Sequence, residues 1–284
     1  MNQFCFKKEK VDELVRDIRK GLIENKSILQ KAFDLDLKEW EFKVDLNKML
    51  EIVDSFKDKE YLPKFSKEKI VDGFGKIALV SNQNPYLILN FILSALYTNN
   101  KVEVVLENKL QATNKVMVET IKRVLVEKGA DEDTVSYIEL VNSDEIVSKQ
   151  DNYDLIYYFG NKEAYLSFIK RMHVDTRFEE FGEINVYFDS DDFKEEMLEI
   201  NRWAYFNEYK VNIRKDDINK VISEFNMHNN ISKLTVIFSK NIENVAKFSK
   251  EIKSEKIFVN INPVEFYKTE IDHKKLVYTK IIKW

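Results

Sequence analysis

Hydrophobic positions follow two different periods along the chain. Over the first sixty residues they recur with helical spacing, once across residues 11–22 and again across residues 46–56. After residues 61–63, short apolar runs of strand length alternate with longer amphipathic segments. The pattern predicts an N-terminal helical segment that packs on an α/β body.

This alternation continues to the end of the chain. The predicted strands are residues 76–81, 102–106, 136–140, 154–159, 184–188, 234–238, 257–259 and 275–284. The predicted helices are residues 85–98, 113–128, 143–148, 162–172, 191–206, 216–225 and 242–252. Strands that alternate with helices in this way form parallel sheets covered by helices. The predicted fold class is therefore α/β, with a boundary between two sets of elements near residue 178.

Composition excludes several classes of protein. Hydrophobic residues make up 44% of the chain and aromatic residues 13%, which is too apolar for a disordered protein. No run reaches the roughly 20 uncharged apolar residues of a membrane span. The net charge of −4, with both signs interspersed, argues against nucleic acid or an anionic membrane as the main partner. The single cysteine and the lack of a visible signal peptide predict a cytoplasmic location.

Few residues are available for common kinds of site chemistry. The 6 glycines form neither of the usual phosphate-binding motifs, so a conventional nucleotide loop is absent. The 3 histidines are isolated, and no spacing indicates a metal site. The 1 cysteine, Cys5, precedes the first predicted helix, where termini are usually loosely held. We interpret Cys5 as a small apolar residue without a catalytic role.

Four segments follow one another in an order typical of a known family. They are Gly75-Lys-Ile-Ala-Leu-Val-Ser-Asn-Gln-Asn-Pro85, residues 114–140, Tyr153-Asp-Leu-Ile-Tyr-Tyr-Phe-Gly160 and Phe178-Glu-Glu-Phe-Gly182. In order and spacing they resemble the aldehyde dehydrogenase superfamily, most closely its branch of γ-glutamyl phosphate reductases, the glutamate-5-semialdehyde dehydrogenases. The resemblance runs from about Gly73 to the C-terminus. It implies a Rossmann-like parallel-sheet domain, a reduced second α/β domain and a C-terminal oligomerisation strand.

The resemblance also implies domain bounds and a partner. Residues 1–178 would be the helical N-terminus and the Rossmann-like domain, to which residues 274–284 return as a strand. Residues 179–273 would be a reduced catalytic-type domain, because only 23 residues separate Asn212 from Val236. In the family the terminal strand extends a partner's sheet, so residues 276–284 imply a homodimer. An internal edge strand is the alternative interpretation.

The family's catalytic groups correspond to three residues here. Asn84 matches the oxyanion-stabilising asparagine and Glu180 the general base, while Asn212 stands where the catalytic cysteine is expected. An amide is no comparable nucleophile, so a thiohemiacetal or acyl-enzyme cannot form at Asn212. Asn84 before Pro85 is also a common helix-entry residue.

The family's cofactor contacts are less well preserved. They correspond to Ser81, Gln83, Glu107, Gly160 and Asn161. Glu107 replaces a lysine that contacts the ribose, and its negative charge disfavours a dinucleotide. Tyr165 replaces a small residue that lets the helix approach the pyrophosphate. The comparison predicts that no cofactor binds, or NAD or NADP if one does.

Three functions follow as hypotheses. The first is a catalytically inactive relative retained as a binding or assembly scaffold. The second is a divergent NAD(P)-dependent oxidoreductase of aldehydes or acyl phosphates, with Glu180 as base and Asn84 or Asn212 as oxyanion donor. The third is an interaction protein that assembles through its terminal strand. We favour the first and third in combination.

Overall fold

The computed structural model describes most of the 284-residue chain. The described residues are 8–36, 45–57, 59, 63–66, 69–81, 84–106, 110–139, 144–160, 162–180, 183–206, 210–227, 234–261, 271 and 273–281. For residues 65, 180, 183, 202–206 and 210 this description covers the backbone alone. The chain divides into two compact units, one of Met1–Glu179 with Thr269–Trp284 and the other of Glu180–Lys268.

The first unit is built on a five-stranded sheet in the order β5-β4-β3-β6-β7. Its strands are β3 (Lys76–Val80), β4 (Lys101–Leu106), β5 (Val135–Glu139), β6 (Leu155–Gly160) and β7 (Thr176–Glu180). The strands β3, β4, β5 and β6 pair in parallel. Strand β3 is buried at four consecutive positions from Ile77 to Val80. A strand covered on both faces needs such a continuous apolar run.

Seven helices are described in the first unit, and they form layers on the sheet. They are α1 (Lys8–Glu24), α2 (Lys26–Asp36), α3 (Leu46–Asp54), α4 (Pro85–Tyr97), α5 (Gln111–Glu127), α6 (Asp144–Lys149) and α7 (Lys162–Ile169). Helix α4 packs Phe91 on Tyr157 of β6, and α1 and α3 contact its outer side. This double burial explains why α4 is apolar all round. Phe168 of α7 packs with Ile156, which points to the opposite face of β6.

A small sheet joins the end of the chain to the first unit. It has the order β1-β2-β12 and consists of β1 (Lys64–Phe65), β2 (Lys69–Gly73) and β12 (Val277–Ile281). Strand β12 runs antiparallel to β2, with Val277 opposite Gly73. The buried Asn100 anchors this junction, because its side chain donates to the Leu276 carbonyl at 2.8 Å and accepts from the Gly75 amide at 3.1 Å.

The second unit contains a four-stranded parallel sheet in the order β11-β10-β8-β9. Its strands are β8 (Glu183–Phe188), β9 (Lys210–Arg214), β10 (Leu234–Phe238) and β11 (Ile257–Val259), and its helices are α8 (Lys194–Phe206), α9 (Ile218–Met227) and α10 (Ile242–Glu251). Tyr187, Phe225, Ile237 and Phe248 lie together in its core. These side chains come from two strands and two helices, so they hold α9 and α10 on the sheet.

The predicted α/β class and its two parallel sheets are confirmed. Helices α4, α5 and α10 and strands β3, β4, β6 and β10 lie within two residues of their predicted bounds. The pattern misses β1, β2, β7 and β9. Strands β7 and β9 lie at sheet edges and are rich in charged residues, so neither has the long apolar run that marks a central strand. The predicted helix over residues 162–172 ends earlier, at Ile169.

The terminal strand is described from Val277 to Ile281, and residues 282–284 lie outside the described part of the chain. Ser143, the first residue of the predicted helix over residues 143–148 and its plausible cap, also lies outside it. No helix among the described residues is both long and apolar enough to span a bilayer.

Replacing Gly73 with alanine is expected to destabilise the fold by at least about 2 kcal/mol, because interior overpacking forces the backbone to move. An added Cβ would lie 2.4 Å from the Thr98 carbonyl oxygen and 2.5 Å from that of Asn99. Denaturant unfolding measures the change.

Gly129→Ala is the matched control. Gly129 has φ +83° but no atom within 4 Å of an added Cβ, so we expect a cost of about 1 kcal/mol from backbone strain alone. A Gly73→Ala variant no less stable than Gly129→Ala would contradict the described junction.

Candidate functional site

The strand order reverses between β3 and β6 of the first unit. The chain runs outward from β3 to β4 and β5, then returns to β6 on the other side of β3. In open α/β sheets, ligands bind outside the carboxyl ends of the strands at such a reversal. Ser81 directly follows β3, Asn84 begins the next helix, and Gly160 ends β6. The fold therefore brings these three predicted residues to one edge of the sheet.

Asn84 is the N-cap of α4. Its Oδ1 accepts hydrogen bonds from the backbone amides of Tyr86 at 2.9 Å and Leu87 at 3.3 Å. Pro85 occupies the first turn, where its missing amide is tolerated. The carboxamide oxygen is thus committed to the helix, which orients the side chain. This is the helix-entry role that the sequence offers as the alternative to catalysis.

Tyr86 lies beside this cap, and its hydroxyl does not act as a general base. Its hydroxyl is 2.7 Å from the backbone nitrogen of Asp45, from which it accepts a hydrogen bond. Burial raises the pKa of Tyr86 to about 12. The phenol therefore stays protonated at neutral pH.

The N-terminus of α5 is closed by a side chain from another helix. Asp36, the last residue of α2, accepts hydrogen bonds from the amides of Ala112 at 3.3 Å and Thr113 at 2.7 Å. Leu110, at the N-cap position, has φ 50° and makes no side-chain cap of its own. Free amides at a helix N-terminus attract anions. At α5 that anion is already present, and it belongs to the chain.

The glycine at the end of β6 is covered by an aromatic ring. A Cβ placed on Gly160 would lie 2.7 Å from Cε1 of Tyr158. Tyr158 belongs to an aromatic cluster with Tyr165, Phe168 and Phe178, in which the Tyr165 and Phe178 rings stack at 4.2 Å. Gly160 therefore makes room for a ring of its own chain. Tyr165, where the family has a small residue, belongs to the same cluster.

Two helix N-termini and the glycine at this edge are already in contact with groups of the chain. Dinucleotide phosphates commonly bind to open helix amides beside an accessible glycine. Asn84 and Asp36 instead accept from the first amides of α4 and α5, and Tyr158 lies on Gly160. The first turn of α7 carries Lys162 and Glu163, whose charges offset each other. Three other predicted contacts, Gln83, Glu107 and Asn161, lie outside the described residues, as does Cys5.

Asn212 belongs to the second unit and lies in the middle of β9. It is opposite Asn185 of β8, and its Nδ2 donates to Asn185 Oδ1 at 3.0 Å. Asn185 is buried, so this amide pair joins the two strands on one face of the sheet. Glu180 ends β7, and only its backbone is described.

The second sheet also reverses its order, between β8 and β10, and a polar cluster lies there. Ser239, which is buried, donates its hydroxyl to Asp189, and Asn244 donates to the same carboxylate at 3.2 Å. Asn260 pairs with the Ser239 backbone at 2.8 and 2.9 Å. A serine needs a base such as histidine to become a nucleophile. The described cluster contains no such base, so we interpret it as a structural hydrogen-bond cluster that links three strand ends.

A half-buried charged cluster lies toward the opposite ends of the first sheet. Glu103 accepts from Lys76 Nζ at 3.0 Å, from Ser136 Oγ at 3.0 Å and from the Tyr153 hydroxyl. Burial opposes the charge of Glu103, but the bonds from Tyr153 and Lys76 hold its pKa below the ordinary value. This cluster lies away from the carboxyl ends of the strands and is structural. Sequence reasoning missed it because its members come from four separate segments.

Among the described residues, no group of three His, Cys, Asp or Glu side chains could hold a metal ion.

Three solved structures show what the chain is similar to. One is γ-glutamyl phosphate reductase from Thermotoga maritima, with 12% identity, 98% of this chain and 94% of that chain covered, and a TM-score of 0.63. Glyceraldehyde-3-phosphate dehydrogenase GapN from Methanocaldococcus jannaschii, complexed with NADP, shows 11% identity, 96% and 89% coverage and a TM-score of 0.67. A propionaldehyde dehydrogenase from Clostridium phytofermentans shows 9% identity, 98% and 93% coverage and a TM-score of 0.64.

These similarities establish the aldehyde dehydrogenase-like fold that the sequence predicts. The identities are too low to carry function from those enzymes to this chain. No protein-family model matches the sequence, and no curated protein matches it.

Asp36→Ala is expected to reduce stability by about 1–2 kcal/mol, because two helix amides lose their acceptor. Asp36→Asn, which keeps an oxygen acceptor, should lose less. Urea unfolding followed by circular dichroism measures both.

Asp34→Ala is the matched control, since Asp34 is exposed on the same helix and accepts only from Gln30 in the described contacts. Its stability should stay within about 0.5 kcal/mol of the parent chain. Equal losses from Asp34→Ala and Asp36→Ala would show that the α5 cap contributes nothing.

Proposed function

We propose that this chain is an aldehyde dehydrogenase-like protein that has lost thiol-dependent catalysis and acts as a binding or assembly scaffold. The observation that carries the proposal is the closed N-terminus of α5, where Asp36 accepts from Ala112 and Thr113. A dinucleotide phosphate brought to this edge would meet a carboxylate instead of free amides. Like charges at close range lower affinity.

The cysteine content of the chain supports the same proposal. The chain has 1 cysteine, Cys5, and an asparagine at position 212. Thiol-dependent oxidation of an aldehyde needs a thiolate to attack the carbonyl carbon and an acceptor to take the hydride. The amide of Asn212 is not nucleophilic, and it already donates to Asn185.

A divergent oxidoreductase is the second candidate. It is favoured by the fold, because the similar GapN structure is a complex with NADP. In this scheme Glu180 would be the base, and Asn84 or Asn212 would stabilise an oxyanion. Asn212 Nδ2 gives one of its two hydrogens to Asn185, and a dinucleotide at the α5 N-terminus would meet the Asp36 carboxylate.

Calorimetry with NAD and NADP at millimolar concentration tests the two candidates. We expect no binding heat, and no change in nicotinamide absorbance with propionaldehyde or an acyl phosphate. The Thermotoga maritima reductase in the same assay serves as the positive control. Saturable heat, or turnover well above that of buffer, would overturn the loss of catalysis and favour the oxidoreductase.

We also propose that the scaffold is a homodimer formed through β12. Strand β12 ends the order β1-β2-β12, so one of its edges has no strand partner in the described part of the chain. Four of its five side chains are exposed, among them Tyr278 at 40% and Ile281 at 69%. An open edge with apolar side chains favours pairing with a second strand.

The mass in solution tests the dimer. Light scattering after gel filtration should give twice the chain mass of 33.8 kDa. Ile281→Lys should shift the mass to that of one chain, because a charge on an edge strand opposes pairing. Ile242→Lys, at a side chain 83% exposed on α10, is the control and should stay dimeric. A monomeric parent chain would refute strand-mediated assembly.

A further inference from the structure

The first unit contains a cavity remote from the strand ends described above. It has a volume of about 320 Å³ and lies between α1, α3 and the end of α4. Its polar lining comes from Asp12, Arg16, Arg19, Asp54, Lys57 and Tyr97. The volume falls at the lower end of the roughly 300–1,000 Å³ of small-molecule sites.

Asp54 holds two of the cations in place. Its Oδ1 lies 3.0 Å from Nε of Arg19 and 2.7 Å from Nζ of Lys57. The hydrogen bond from Lys57, with the attraction of Arg19, holds the pKa of Asp54 below its ordinary value. Asp54 is therefore charged at neutral pH, and it fixes both cations at the cavity wall.

Asp12 is engaged on the other side of the cavity. Its Oδ1 accepts from the hydroxyl of Tyr97 at 2.6 Å, and Tyr97 is fully buried. Counting Arg16, Arg19 and Lys57 against Asp12 and Asp54, the lining carries three positive and two negative charges. One positive charge is in excess.

Arg16 carries that excess charge. Its Nε donates to the backbone oxygen of Asp12 at 3.3 Å, and no carboxylate of the described residues lies within 4.0 Å to form an ion pair with it. Its terminal nitrogens form a planar fork suited to a carboxylate or phosphate. The ion pairs between α1 and the end of α3 involve Arg19, Asp54 and Lys57 but not Arg16. Arg16 is exposed and is not held by an ion pair among the described residues, so its guanidinium is accessible to an anion in the cavity.

The remaining wall is apolar. Val15 and Val53 form part of it, but at 2% and 1% exposure they present little surface to a ligand. We propose that the cavity binds a small anion through a carboxylate or phosphate group held by Arg16, Arg19 and Lys57. This inference is independent of the proposed function, because the cavity shares no described residue with the sheet edge or with β12.

Three probes test the proposal by NMR on the full chain. They are benzoate, phenyl phosphate and inorganic phosphate, followed through the side-chain Nε–H signals of arginine. Benzoate or phenyl phosphate should shift the Arg16 and Arg19 signals saturably at millimolar concentration. The difference between their affinities shows whether the cavity prefers a carboxylate or a phosphate. Inorganic phosphate should shift the same signals, because its charge alone can bind the three cations. No saturable shift with any probe would overturn the site.

Arg16→Gln should weaken binding about tenfold or more, the size expected for a lost charge-assisted hydrogen bond. Arg16→Lys keeps the positive charge but not the planar guanidinium. Its affinity should therefore fall between those of the parent chain and the Arg16→Gln variant. Arg171→Gln is the matched control, since Arg171 pairs with Asp144 elsewhere on the first unit, and its affinity should not change.

Thermal unfolding verifies that each variant is folded. If Arg16→Gln is not folded, Lys57→Gln serves as the second variant, with the same expected loss. Parent-like affinity in a folded Arg16→Gln or Lys57→Gln variant would show that the cations only clamp α1 to α3.

Discussion

The hydrogen bond from the Thr113 amide to the Asp36 carboxylate, 2.7 Å long, is the constraint on which the interpretation of the first unit depends. Every helix begins with amides that need an acceptor. Rossmann-like proteins leave some of them open at the sheet edge and use them to bind phosphate. Here the outer helix α2 supplies a carboxylate to α5. One contact thus attaches the helical layer to the sheet domain and places a carboxylate at the N-terminus of α5.

The fold does not require that position to be open. The first sheet is stabilised by buried apolar strands, and the end of the chain is joined to it through Asn100, which bonds to Leu276 and Gly75. The second unit is held by its aromatic core and by the hydrogen-bond cluster around Ser239. All of these contacts are made within the chain. A fold alone does not establish an activity.

The sequence predicts the parts of this fold that depend on local pattern. Strands such as β3 and β10 are continuous apolar runs, and α4 is marked by Asn84, Pro85 and a long apolar segment. Edge strands such as β9 lack that signal, so the segment around Asn212 was interpreted by resemblance alone. Asp36 lies 77 residues from Thr113, and no local pattern indicates that they meet. The cavity at Arg16 escaped prediction for the same reason, since its lining comes from three separate helices.

Amide hydrogen exchange at Thr113 is the most direct test of the central claim. The amides of a helix's first turn usually exchange quickly, because they lack a partner within the helix. The account predicts that the Thr113 amide is protected in the parent chain and that Asp36→Ala removes the protection without unfolding α5. Rapid exchange at Thr113 in the parent chain would show that the N-terminus of α5 is open, and it would contradict the account.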